Sequence, residues 1–145
     1  MISSKKEIII GHSAKDLFNI VLDIEIYPEF LPWCIKIIIN SQKKNQIFAD
    51  MIVNYKLFPS QKFTSHVVFN SKKLFISTEY IDGPLKDLRT NWNFEKISTK
   101  KTKVIFDINF EFKKFLHQKL AEIFFNLIET KMIDSFKKRA DEILD

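Results

Sequence analysis

Residues 114–144, KFLHQKLAEIFFNLIETKMIDSFKKRADEIL, contain neither glycine nor proline. At ~1.5 Å rise per residue a helix of this length spans roughly 45 Å. A globule of 145 residues has a radius of gyration of only about 15 Å. Such a helix has to cross the whole domain. Ala121, Phe125, Ile128, Met132, Phe136, Ala140 and Ile143 fall on one stripe at 3.6 residues per turn, the pattern of a helix buried along one face. Over its first turns Leu116, Leu120, Ile123, Phe124 and Leu127 make a second apolar patch on the opposite side. That patch needs a cover too, and the chain itself is the expected one.

Upstream residues supply the surface that the stripe requires. Lys103–Phe112 is the clearest strand: Val104, Phe106, Ile108, Phe110 and Phe112 alternate with Ile105, Asp107, Asn109 and Glu111, so one face is apolar and the other mostly wet. Shorter extended segments precede it at Ile35–Asn40, Ile47–Tyr55, Lys62–Asn70, Leu74–Ile81 and Asp87–Lys96. Ser41–Asn45, Ser71–Lys73 and Asp82-Gly83-Pro84 separate them as turns. Lys5–Ile10 reads as a first strand ending at Gly11. Ser13 then stands three residues before Asp16, and Ala14, Leu17, Phe18 and Val21 follow at helical spacing, which predicts a capped helix to about Leu22. In 23–34 two prolines, Pro28 and Pro32, limit the chain to a short helical turn that displays Tyr27, Phe30, Leu31 and Trp33. The fold class is therefore α+β: one domain over 1–145, with two short helices after the first strand and a curved antiparallel sheet of about six or seven strands. That sheet covers, and is covered by, the C-terminal helix.

Composition narrows the function classes. The chain has 46% hydrophobic residues, 15 Phe, 2 Gly and 4 Pro, which fits an ordered globule. Phenylalanine has bulk and no polar atom, so these rings either fill a core or line a cavity for an apolar ligand. The net charge of +5 comes almost wholly from lysine, Arg89 and Arg139 being the arginines. Scarce arginine disfavours base readout, and no DNA partner is expected. The single cysteine, Cys34, rules out an internal disulfide and reads as a small hydrophobe. No stretch approaches the ~20 apolar residues of a membrane span, so the expected location is cytoplasmic.

Reactive chemistry is not apparent. His12, His66 and His117 are scattered, Cys34 has no partner at ligand spacing, and two glycines cannot build a phosphate loop. No metal, catalytic cofactor or catalytic residue is proposed, and a binding module is the expected class rather than an enzyme. The expected lining of the sheet–helix space and its mouth is Tyr27, Phe30, Leu31, Trp33, Phe63, Trp92, Phe106, Phe110, Phe124, Phe125, Ile128 and Met132. The mouth is expected where Phe30, Leu31 and Trp33 meet Leu120, Phe124 and Leu127. The alternative reading of Tyr27–Trp33, plain core that seals the first helix against the sheet, stays open on composition.

Several stretches resemble the coenzyme Q-binding protein family. They are Tyr27-Pro28-Glu29-Phe30-Leu31-Pro32-Trp33-Cys34, Asp82-Gly83-Pro84-Leu85, Trp92-Asn93-Phe94, Phe110-Glu111-Phe112, Leu116-His117-Gln118-Lys119-Leu120-Ala121 and Phe136-Lys137-Lys138-Arg139-Ala140. The resemblance covers essentially the whole chain. It implies a helix-grip fold of the START and birch-pollen-allergen type with a cavity between sheet and long helix. It also implies ubiquinone as bound ligand, with a carrier or chaperone role supporting quinone synthesis and electron transport. Peripheral contact with the inner membrane or with quinone-synthesis proteins would follow. A second branch of the family, described as a ribosome-association toxin, makes the ribosome the alternative partner. Trp33-Cys34 and the segment Phe115–Leu120 look closer to the respiratory branch.

Overall fold

A computed structural model describes residues 1–55 and 58–144. The side chains of Phe124 and Ile128, two of the residues expected to line the cavity, lie outside what is described. Strand β1 (Ile2–Ile10) leads into helix α1 (Ala14–Leu22) and a 3₁₀ helix (Ile24–Glu29). Strands β2 (Cys34–Lys43), β3 (Gln46–Tyr55), β4 (Phe58–Asn70), β5 (Phe75–Asp82), β6 (Leu85–Ser98) and β7 (Lys101–Phe112) follow, and helix α2 (Phe115–Ile143) closes the chain. The seven strands form one antiparallel sheet in the order β1-β7-β6-β5-β4-β3-β2. The meander thus ends beside β1, and both helices sit against the sheet's apolar face.

Local chemistry explains these elements. Ser13 Oγ accepts the Asp16 N–H at 3.2 Å, so α1 starts on the expected cap, and it buries Ala14, Leu17, Phe18 and Val21. Pro28 lies within the 3₁₀ helix, where the Phe30 N–H donates to the Tyr27 carbonyl and ends it. Burial alternates over the first half of β7, where Thr102, Val104 and Phe106 are buried, while 107–112 are all half-buried. At the sequence-distant join of β1, α1, β7 and α2, the buried Thr102 hydroxyl donates to the His12 carbonyl at 2.7 Å, and His12 Nε2 meets Asp141 Oδ1 at 2.7 Å.

Several boundaries differ from the sequence reading. Strand β1 begins at Ile2, not Lys5, and the five-residue turn expected at Ser41–Asn45 shrinks to Lys44-Asn45. Asn45 takes φ 65°, a conformation asparagine tolerates, and bulges near Cys34 and Asn40 re-register β2 against β3. Ile143, assigned to the buried stripe, is exposed, because it lies at the end of α2. The outer patch of α2 has no cover among the described residues: Leu116 is 67% and Ile123 72% exposed. Periodicity marks a residue as apolar at a given angle and carries no information on whether anything packs there.

One turn is sterically fixed. Gly83 has φ +142°, and a Cβ there would stand 2.6 Å from the Lys62 carbonyl oxygen. The same turn is tied on both sides, since the Leu85 N–H donates to the Tyr80 phenol oxygen at 3.0 Å and the Lys113 N–H to the Pro84 carbonyl at 3.2 Å. Gly83→Ala is expected to lower stability by about 1–3 kcal/mol in urea unfolding, from backbone strain plus displacement of β4. A change under a few tenths of a kcal/mol would show that the turn relaxes freely.

Candidate ligand-binding cavity

The space between sheet and α2 is solid at one end and hollow at the other. At the solid end Phe136 of α2 meets Tyr27, Phe30 and Trp92 edge-on, with ring centroids at 5.3, 5.1 and 5.2 Å. Trp92 stacks in turn with Phe94 at 6.2 Å and tilts against Phe106 at 4.5 Å. Beyond this plug lies a cavity of about 320 Å³. Its floor is the inward face of β3 to β7, including Met51, Phe63, Val67, Ile76, Phe106, Ile108 and Phe110, and its roof is Ala121, Phe125, Glu129 and Met132 of α2. The volume lies at the low end of the ~300–1,000 Å³ usual for ligand pockets.

Of the expected set, Tyr27, Leu31, Trp33, Phe63, Trp92, Phe106, Phe110, Phe125 and Met132 lie on the cavity wall. Phe30 does not line it: its ring is spent on Phe136 and on the Arg139 guanidinium, 5.5 Å from the ring centre. Of the expected mouth, Leu31 and Trp33 lie on the cavity wall, whereas Phe30 packs on Phe136 in the second half of α2. Leu120 and Phe136 are sixteen residues, or about 24 Å, apart along the helix. Within the Tyr27–Trp33 stretch Leu31 belongs to the core, and Tyr27, Leu31 and Trp33 reach the cavity wall.

A second hollow of about 240 Å³ shares Gln61 with the large one. It is bounded by Lys62, Gly83, Pro84, Lys113, Lys114 and His117, so a basic collar surrounds the end of the cavity at the start of α2. Gln118 braces this end by accepting the Phe112 N–H at 2.8 Å.

Polar groups on the wall are few. The Tyr27 hydroxyl donates to the Val21 carbonyl, and burial pushes its pKa far above the ordinary phenol value, with Cys34 and Asp23 adding to the effect. Thr78 and Thr90 face one another across β5 and β6 on the floor. Neither was singled out from sequence, although each keeps the two-residue phase of the buried Ile76 and Trp92. Glu129 was missed as well, and its position four residues after Phe125 and three before Met132 places it inside the apolar stripe.

Cys34 is buried, and desolvation drives its thiol up to about 11 despite a backbone hydrogen bond from Lys36 that works the other way. Below that pH it stays protonated. Its reaction with a disulfide reagent at pH 8 is expected to be roughly 100-fold slower than in urea-unfolded chain, since thiolate is the nucleophile. Equal rates would mean that the wall at Leu31–Cys34 opens readily. Among the described residues no group of three His, Cys, Asp or Glu converges as a metal site.

Comparison with known proteins agrees with this architecture. The chain is 33% identical over 99% of its length to "Ribosome association toxin RatA" of Rickettsia prowazekii, of which it covers 99%. It is 31% identical over 92% of its length to "Coenzyme Q-binding protein COQ10, mitochondrial" of Drosophila melanogaster, of which it spans 55%. A solved START superfamily protein from Mycobacterium smegmatis superposes with a TM-score of 0.81 at 18% identity, covering 98% of this chain and 99% of that one. The seven-stranded antiparallel sheet with its closing helix is thus a START-type helix-grip fold. The family model described as "Polyketide cyclase / dehydrase and lipid transport" matches residues 10–137, and the chain belongs to that family.

Proposed function

We propose that this protein is a non-catalytic carrier or chaperone that holds an apolar ligand of the ubiquinone class beneath α2. The carrying observation is the cavity of about 320 Å³ with its almost wholly apolar wall. A volume of that size takes a ring and the first part of a tail, each buried methylene contributing about 0.8 kcal/mol. The likeness to a relative named as a coenzyme Q-binding protein supports the choice of ligand class.

The outer patch of α2 supports a loading site on an anionic membrane surface. Phe115, Leu116 and Ile123 are exposed next to Lys113, Lys114 and Lys119, the arrangement that rests on a bilayer interface. No helix of the described residues is long and apolar enough to cross a membrane, so such contact would be peripheral. Quinone uptake from liposomes tests the reading: protein purified from a quinone-containing host should carry extractable quinone, and uptake should rise with anionic lipid. Empty protein that takes up no quinone refutes it.

The relative named as a ribosome association toxin, matched over nearly all of both chains, favours a second reading: binding to a ribosomal subunit. The +5 charge is compatible with it. Co-sedimentation with ribosomal subunits that weakens steeply with salt would support this alternative, because phosphate contacts are lost with salt and pocket burial is not.

A further inference from the structure

The cavity roof carries a polar group that an apolar ligand tail leaves unused. Glu129 has only 4% of its side chain exposed, and its Oε2 finds no hydrogen-bond partner among the described residues. Its Oε1 stands 3.8 Å from Lys6 Nζ, which is itself about half exposed on the edge strand β1. That ion pair occupies one oxygen and leaves the other without a donor. Phe125 and Met132, the nearest roof residues on the same helix face, supply none. A buried acceptor left unpaired is costly, and native proteins keep such groups chiefly where a ligand or water completes them.

We propose that Glu129 receives a hydroxyl of the cavity ligand, so that phenol- or hydroquinone-type molecules are taken in preference to their ether or carbonyl counterparts. The inference rests on the cavity being a ligand site. A carboxylate is an acceptor only, so a hydroxyl hydrogen satisfies it while a carbonyl or ether oxygen sets lone pair against lone pair. The sheet beneath is arranged to suit. Lys6 pairs with Phe106 and Phe106 with Trp92, which places Glu129 over that row, and the adjacent row holds Ile108, Thr90 and Thr78. An aromatic ring lying between helix and sheet meets an acceptor above and threonine hydroxyls below. For a quinone–quinol couple the same argument selects the reduced form, with its two donors, over the oxidised form, with two acceptors.

The test uses two probes of equal tail, 4-nonylphenol and 4-nonylanisole, titrated into the full chain stripped of lipid and read by tryptophan fluorescence, since Trp33 and Trp92 both line the cavity. Wild-type protein is expected to bind the phenol on the order of tenfold tighter, the value of one charge-assisted hydrogen bond. Glu129→Met should bring the ratio near one while melting at or above the wild-type temperature, because it removes a buried unpaired acceptor. Equal affinity of wild-type protein for both probes overturns the role of Glu129 and leaves the cavity reading intact. Binding of neither probe overturns both. A ratio that survives in folded Glu129→Met assigns the hydroxyl to another group and also overturns it. Should that variant not fold, Glu129→Gln decides: its uncharged amide both donates and accepts, so the ratio should fall toward one, and an undiminished ratio overturns the role of Glu129.

Discussion

Phe136→Ala is expected to lower stability by about 3–5 kcal/mol, the range for emptying a buried aromatic site. The phenyl ring is 7% exposed and joins α2 to the 3₁₀ helix and its cap and to β6, through Tyr27, Phe30 and Trp92. Its removal cannot be made good by collapse, because the space adjoins a hollow that is already there: Phe136 belongs to the cavity wall. Small domains are stable by only about 5–15 kcal/mol in total, so the variant should unfold in much less urea or fail to fold at 37 °C. Phe30→Ala makes the informative control. Phe30 is half-buried and off the cavity wall, and its loss should cost clearly less. Urea denaturation of the two variants at equal slope decides. A Phe136→Ala cost below 1 kcal/mol would mean that the aromatic plug does not hold the helix to the sheet.

The contrast between the two halves of α2 also explains what the sequence made legible. Strict alternation from Val104 to Phe112 and the stripe Ala121, Phe125, Met132, Phe136, Ala140 carry their period in residue type alone, and both find the sheet–helix space. The capped start of α1 at Ser13 was readable for the same reason, since a local hydrogen bond needs only local residues. Three things were not readable. The docking of Tyr27 and Phe30 on Phe136, rather than on the first half of α2, is a long-range choice among several apolar partners of equal chemistry. The bulges in β2 move its register without leaving a composition signal. The outer apolar face of α2 looks identical in sequence whether covered or bare. Glu129 differs from these, because its angle on the helix was computable and a charged residue inside an apolar stripe is itself a signal.

Filling the hollow should separate its ligand from its fold. Replacing Thr78 and Thr90 together by Phe is expected to reduce quinone uptake by on the order of 100-fold, about 2.7 kcal/mol, which equals the burial of three to four methylenes. The two threonines oppose one another on β5 and β6 and both face the cavity, so two rings would stand directly in the space a ligand ring needs. Stability should not fall. Aromatic residues suit strands, a cross-strand aromatic pair contributes about 0.2–1 kcal/mol, and the rings enter existing empty volume instead of overpacking a full core. The pair of outcomes matters more than either alone: uptake lost with melting temperature kept or raised places the ligand between sheet and helix. Uptake unchanged in a folded double variant would move the ligand out of the cavity altogether. Ribosome co-sedimentation of the same variant supplies the cross-check, because the substitutions leave the lysine surface untouched and binding through that surface should persist.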